Sequence, residues 1–228
     1  MKGTPAHKMS DHKSSHPAQS MTVADRVILG FDRGLRTLAG RMTAVRPNPA
    51  GDLPEADLNP AEQRHAAGLM RINHTGEVCA QALYEGQALV ARKDDVRALL
   101  LDAASEETDH LVWCQSRLGE LEARPSVLNP LFYACSWSLG VVTGALGDRT
   151  SLGFVEATEE QVSAHLSDHL SSLPAGDQRS RAIVSTMRAD ETAHGENALR
   201  AGGVAFPRFT RSIMRLVSRV MTTTTYRI

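Results

Sequence analysis

Aromatic residues are scarce, only 4% of the 228 positions, and nowhere does an alternating polar–apolar pattern run long enough to specify a strand. Ala, Leu, Glu, Gln and Arg are plentiful instead, so the sequence points away from sheet architectures and towards an all-α fold. Cysteine is nearly absent: Cys79, Cys114 and Cys135 lie far apart with no Cys-x-x-Cys spacing. That argues against a disulfide framework and for reduced thiols in a reducing compartment. An excess of charge of one sign is missing too. A formal net charge of −1 excludes a globally basic nucleic-acid binder. No Gly-x-Gly-x-x-Gly follows a strand-like segment, so there is no sign of a dinucleotide domain. The chain also lacks a long apolar run. Its best candidate, Leu131–Gly147, has 17 residues without charge and is rich in Gly and Ser, whereas a bilayer span needs ~20 predominantly apolar residues.

No secretory signal opens the sequence. Residues 1–20 hold three His, four Ser and two Pro and are expected to form a disordered polar tail. Weak metal binding through His7, His12 and His16 is the sharper reading of that tail, and plain solvation the simpler one. Residues 21–228 are expected to form one domain. Val27, Phe31, Leu35 and Leu38 recur at helical spacing, which predicts an amphipathic helix over about 23–41. Residues 46–60 contain Pro47, Pro49, Gly51, Pro54 and Pro60 and read as a linker. Helices are then expected from just after Pro60 to about 92, over about 95–121 with an Asp as N-cap, over 150–173, over 178–201, and from after Pro207 to about 221.

Three segments match Glu-x-x-His: Glu62–His65, Glu107–His110 and Glu191–His194. The spacing puts both side chains on one face of a helix, a turn apart, where they can share a metal ion. With 13 Glu and 9 His in the chain, chance predicts about half an occurrence, so the motif alone is weak. Periodicity separates the three. The stripe Leu100, Ala103, Glu107, His110, Cys114, Leu118 is apolar apart from its Glu and His, and Val184, Met187, Glu191, His194, Ala198 has the same form. Glu159 interrupts the stripe Leu152, Val155, Val162, Leu166, and Glu77 sits with Met70, Ala80, Tyr84 and Ala88. An ionised carboxylate loses several kcal/mol or more on leaving water. Four carboxylates in one core would repel one another, and few basic residues fall on these stripes to pair with them. With two divalent cations and two neutral imidazoles, the charge balances to zero.

Spacing gives an independent check. Glu77 and Glu107 are 30 residues apart with their midpoint at Arg92, beside an expected turn; Glu159 and Glu191 are 32 apart with their midpoint at Ala175, inside Pro174-Ala175-Gly176. In an antiparallel hairpin, residues equidistant from the turn share a height, so each hairpin sets a Glu opposite a Glu-x-x-His. This is the ligand pattern of ferritin-like four-helix bundles with a carboxylate-bridged pair of metals. The candidate ligands are therefore Glu77, Glu107, His110, Glu159, Glu191 and His194. Glu107 and Glu191 are the expected bridges, and Asp190, Asn73 and Tyr84 are candidates for orienting a ligand or relaying a proton. Glu62 and His65 lie 15 residues, roughly 22 Å of helix, from Glu77 and are excluded. Hard carboxylate oxygens with a minority of imidazoles suit iron or manganese better than copper. The absence of Cys ligands argues against an iron–sulfur centre.

Two further segments stand outside this pattern. Leu131–Gly147 reads either as a buried or crossover helix between the hairpins, or as an interfacial element that meets lipid or a greasy substrate. At the C-terminus, Arg208, Arg211, Arg215 and Arg219 form a stripe beside Ile213, Met214, Leu216, Val217 and Val220, with no acid after Glu196. A basic amphipathic helix of that kind suits an anionic membrane surface; packing on the bundle with its arginines in solvent is the plainer expectation.

The segments Arg71-Ile-Asn-His-Thr-Gly-Glu77-Val-Cys-Ala80, Glu106-Glu-Thr-Asp-His-Leu111, Glu159-Glu-Gln-Val-Ser-Ala-His165 and Asp190-Glu-Thr-Ala-His-Gly195 resemble the demethoxyubiquinone hydroxylases of ubiquinone biosynthesis, the Coq7 family, in letters, order and separation. The resemblance extends from about Met21 to the C-terminus and matches at all six candidate ligands. It implies a monooxygenase with two iron ions per chain and O2 as cosubstrate, hydroxylating the ring of a polyprenyl demethoxy-benzoquinol. The reductant would be NADH or the quinol itself. The resemblance further implies a peripheral position on the cytoplasmic side of a bacterial cell membrane, no nucleic-acid partner, and a homo-oligomer or a ubiquinone-synthesis complex as possible assemblies. Two other readings compete with it: a ferritin-like ferroxidase, and a non-catalytic membrane-associated quinone-binding module in which the metals are a structural clip.

Overall fold

The computed structural model describes residues 22–228, and within them the chain forms seven helices and no strand. They are α1 (Val23–Leu38), α2 (Pro60–Val90), α3 (Asp94–Glu120), α4 (Asn129–Ala145), α5 (Asp148–Ser172), α6 (Gln178–Arg200) and α7 (Arg208–Thr225). The tail with His7, His12 and His16 lies outside the described residues. All three cysteines are free thiols.

Local chemistry sets the helix ends. Asn59 caps α2 by accepting from the Ala61 and Glu62 amides, Glu62 returns a bond to the Asn59 amide, and Pro60 opens the first turn. Glu62, half of the rejected Glu-x-x-His pair, is thus a capping residue. Its partner His65 instead contacts Tyr226 Oη at 2.8 Å and Ser172 Oγ at 2.9 Å. The expected Asp cap of α3 is corrected by the structure: Lys93 stands at that position without a side-chain cap, and Asp94 and Asp95 lie inside the first turn. There they favour the positive end of the helix dipole.

α2 packs along α3 and α5 along α6, giving the two antiparallel hairpins of an all-α, ferritin-like bundle. The core is split in two. One apolar cluster gathers Met70, Trp113, Leu118, Leu166, Ile183 and Met187. The other gathers Tyr84, Ala88, Leu100, Leu152, Val155 and Ala198. On each of the four helices the two clusters are separated by a short interval, and the charged residues of the sequence stripes fall in it: Glu77, then Glu107 and His110, then Glu159, then Glu191 and His194.

The uncharged segment is a crossover helix between the hairpins, α4, and its glycines have a packing role. A Cβ on Gly140 would lie 2.3 Å from Leu83 O, and one on Gly86 2.3 Å from Trp137 O. The backbones of α2 and α4 therefore touch along a glycine seam, while Leu131, Leu139, Val142 and Leu146 remain exposed on the other face. No helix of the described residues is long and apolar enough to cross a membrane.

The stretch between α1 and α2 is more than a linker. Ala50 is fully buried. Glu55 reaches Arg117, whose side chain is fully buried and also meets Glu120, Asp177 and Ser180 at 2.6–3.0 Å. That network ties the segment to the ends of both hairpins.

The glycine seam yields a test. Gly140→Ala is expected to destabilise the protein by about 1–3 kcal/mol through overpacking. Gly30→Ala, where a Cβ meets nothing within 4 Å, should be neutral or stabilising by up to about 1 kcal/mol. Urea unfolding measures both; equal effects would contradict the seam.

Candidate metal centre

Each of the six candidate ligands arrives in the same layer because its helix carries it there, and burial is nearly complete, from 0% exposure for Glu107 and His110 to 7% for His194. Their ligand atoms form two overlapping groups, Glu77, Glu107, His110, Glu191 and Glu107, Glu159, Glu191, His194, within each of which all atoms lie within 4.8 Å of one another. Glu107 and Glu191 belong to both. His110 turns Nδ1 inward, 3.1 Å from Glu107, 3.2 Å from Glu191 and 3.5 Å from Glu77. His194 does likewise, 3.3 Å from both Glu107 and Glu191.

Buried charge at this density must be neutralised by protons or cations. Burial and the neighbouring Glu107 push the Glu77 carboxyl well above the usual carboxylate range; burial and Glu191 do the same to Glu159. Burial would raise Glu107 too, but hydrogen bonds from Glu77, His110 and His194 outweigh it, and that carboxyl lies well below the range. Burial would lower the imidazoles. Bonds to Asp190, Glu107 and Glu191 overcome this at His110, which is pushed well up, and bonds to Glu107 and Glu191 push His194 up to about 12. Glu159 Oε2 is buried without a hydrogen-bond partner, and Glu107 Oε1 and Glu191 Oε1 are met only by the inward imidazole nitrogens, at 3.3 and 3.2 Å and without good hydrogen-bond geometry. Oxygens left over in this way, converging with two inward imidazole nitrogens, fit two divalent cations.

The outer nitrogens show a reciprocal pattern. His110 Nε2 is 2.9 Å from Asp190, the residue before Glu191; His194 Nε2 is 3.0 Å from Glu106, the residue before Glu107. Each imidazole is oriented by the acid that precedes the other motif, which leaves Nδ1 free to bind a metal. The sequence reading selected Asp190 and passed over Glu106, although both motifs share the leading acid. Of the other two candidates, Tyr84 donates through its hydroxyl to Glu159 Oε1. Asn73 is bonded to His169 at 2.7 Å and to Met70, and makes no hydrogen bond to any of the six.

Arg46 and Asp109 were not anticipated. Arg46 projects from the segment after α1, donates to Asp109 and Asp190 at 2.8 Å each, and lies 4.9 Å over the Trp113 ring beside His110. Asp109 also accepts from the Val45 amide at 2.6 Å. Partial burial would raise Asp190, but His110 and Arg46 together hold it below its ordinary value. No periodicity marks Arg46, because it sits in a proline-rich stretch. Its partner Asp109 occupies the third position of its Glu-x-x-His motif, off the core stripe.

Fold and cluster together define a ferritin-like bundle with a core compatible with a two-metal carboxylate site. The family described as "Ubiquinone biosynthesis protein COQ7" matches residues 64–225, which takes in nearly all of α2 to α7 and leaves out α1 and Arg46. The chain is 56% identical over 205 residues to a protein of Burkholderia multivorans, covering 90% of this chain and 99% of that one. It is 56% identical over 211 residues to one of Xanthomonas campestris pv. campestris (92% and 97%), and 57% identical over 205 residues to one of Ectopseudomonas mendocina (90% and 95%). All three are named 3-demethoxyubiquinol 3-hydroxylase. The chain belongs to the COQ7 family.

The Arg46 strap yields a test by metal titration. Arg46→Lys keeps the charge but loses the fork that spans Asp109 and Asp190. It is expected to weaken one of two Co(II) sites, the one beside His110, by about tenfold, read from the visible absorption of the bound ion. Two unchanged sites would contradict the positioning role.

Proposed function

We propose that this chain is a 3-demethoxyubiquinol 3-hydroxylase: a di-iron monooxygenase that installs a ring hydroxyl on a polyprenyl demethoxy-benzoquinol late in ubiquinone biosynthesis. The observation that carries this reading is the buried six-residue cluster in a chain more than half identical to hydroxylases of that name. One iron would be held by Glu77, Glu107, His110 and Glu191, the other by Glu107, Glu159, Glu191 and His194, with Glu107 and Glu191 bridging.

The reaction takes one oxygen atom of O2 into the C–H bond and releases the other as water, consuming two electrons and two protons, supplied either by NADH together with a proton from solvent or by a quinol. Reduced iron supplies O2 activation when bound. The protein's own groups do the rest. Asp190 and Glu106 fix which imidazole nitrogen faces inward, and the Tyr84 hydroxyl orients Glu159. The two apolar clusters above and below the layer keep water from it.

A membrane-borne substrate accords with the surface. Phe209, Ile213, Leu216, Val217 and Val220 of α7 are exposed beside Arg208, Arg215 and Arg219, and Ile28, Phe31 and Leu35 of α1 are exposed as well. Arg211 instead folds onto Glu156 and Glu160. We place the protein peripherally on the cytoplasmic face of the bacterial membrane, where α1, α4 and α7 rest on lipid. A second copy or a ubiquinone-synthesis complex would be the natural neighbour there. A ferroxidase, which acts on no organic substrate, would have no use for these faces.

Aerobic turnover of a demethoxyquinol by iron-loaded protein tests the proposal, with mass spectrometry reading one added oxygen. Glu191→Ala is expected to cut product by more than about hundredfold, since even outer-shell changes cost 10–100-fold, with helix content retained. No hydroxylated product from protein holding two irons would refute the enzyme; full activity of Glu191→Ala would reduce the metals to a structural clip.

A further inference from the structure

Outside the metal centre, α1 leaves a space that is open on one side to the surface, where Val27, Phe31 and Leu35 are exposed. A cavity of about 440 Å3 lies between α1, α2 and α4, against the outer side of the first hairpin. Val27, Phe31, Leu35, Leu89, Leu101 and Trp137 make its wall largely apolar. The volume is within the range of ordinary small-molecule sites. It stays open partly because of Gly30, where a Cβ would meet nothing within 4 Å.

Of the charged residues that line this space, Glu85 is the buried one. Glu85 is 5% exposed; its Oε2 accepts from the Tyr133 hydroxyl at 2.7 Å, and its Oε1 is buried with no hydrogen-bond partner. Glu85 directly follows Tyr84, so the helix turns one inward to Glu159 and its neighbour about 100° away toward the cavity. Leaving a carboxylate oxygen unmade in an apolar wall is costly, and burial pushes the Glu85 carboxyl up. The surroundings restrict what can satisfy that oxygen. Arg26, Arg33 and Arg97 already border the cavity and disfavour a cationic head, while Glu85 itself disfavours an anionic one. A neutral hydrogen-bond donor on an apolar chain remains.

We propose that this cavity binds an amphiphile with an apolar chain and a hydroxyl head, the chain lying between α1 and α4 and the hydroxyl donating to Glu85 Oε1. Identifying the amphiphile as an isoprenoid hydroquinone rests on the proposed function: a quinol carries both features. The site is then a holding position distinct from the metal layer, reached from the same exposed α1 and α4 faces.

Equilibrium dialysis under argon tests this on the full-length, iron-loaded chain, with geranyl hydroquinone and its dimethyl ether as probes. Wild-type protein is expected to bind the hydroquinone at least about tenfold more tightly than the ether. Glu85→Leu should erase that preference while keeping chain binding. Gly30→Leu, which fills the cavity, should weaken both probes at least about tenfold at unchanged iron content and helicity. Equal affinity of wild type for the two probes, or hydroquinone binding indifferent to both substitutions, would overturn the site. Absent hydroxylation with this binding intact would instead refute only the catalytic assignment.

Discussion

Four carboxylates buried in the middle of an apolar bundle set the terms for the rest of this structure. Each costs several kcal/mol or more to bring out of water, and their mutual repulsion adds to that cost. The fold concentrates the problem in a single layer, where cations can answer it, and seals that layer with an apolar cluster on each side. Hairpin geometry is what brings four separate stripes to one height. Shared Glu107 and Glu191 would then let two cations be balanced by four carboxylates.

The two halves of the centre are related in pattern but differ in support. Each imidazole is oriented by an acid from the other hairpin, so the halves are mutually dependent. Among the described residues only the His110 side is strapped. Arg46 bridges Asp109 and Asp190 there, under cover of Trp113, whereas Glu106 on the His194 side is half exposed and carries no such clamp. The supporting strap comes from outside residues 64–225, where the family match lies. The strapped half of the site thus depends on a segment with no helical character of its own.

Much of this was legible because helical periodicity reports burial. Glu107, His110, Glu159, Glu191 and His194 each interrupt an apolar stripe, and the structure buries all of them together with Glu77. Equal distances from two turns place the stripes in register from the sequence alone. Tertiary contacts made by irregular or non-periodic residues were not legible. Arg46 lies among prolines, and nothing in its local pattern distinguishes a strap from a solvated linker. Glu85 sits among residues of a nearly all-buried helix, where periodicity no longer separates faces. The glycines of Leu131–Gly147 weakened its reading as a span; their true role, close contact between α4 and α2, depends on a partner helix some 55 residues away.

The central claim is that six side chains, two of them shared, hold two metal ions in this layer. Anomalous diffraction at the iron edge from crystals of iron-loaded protein addresses it most directly. The account requires two peaks roughly 3.5–4 Å apart, both flanked by Glu107 and Glu191, one beside His110 and Glu77 and the other beside His194 and Glu159. A single peak, or iron bound elsewhere with this layer unoccupied, would contradict it.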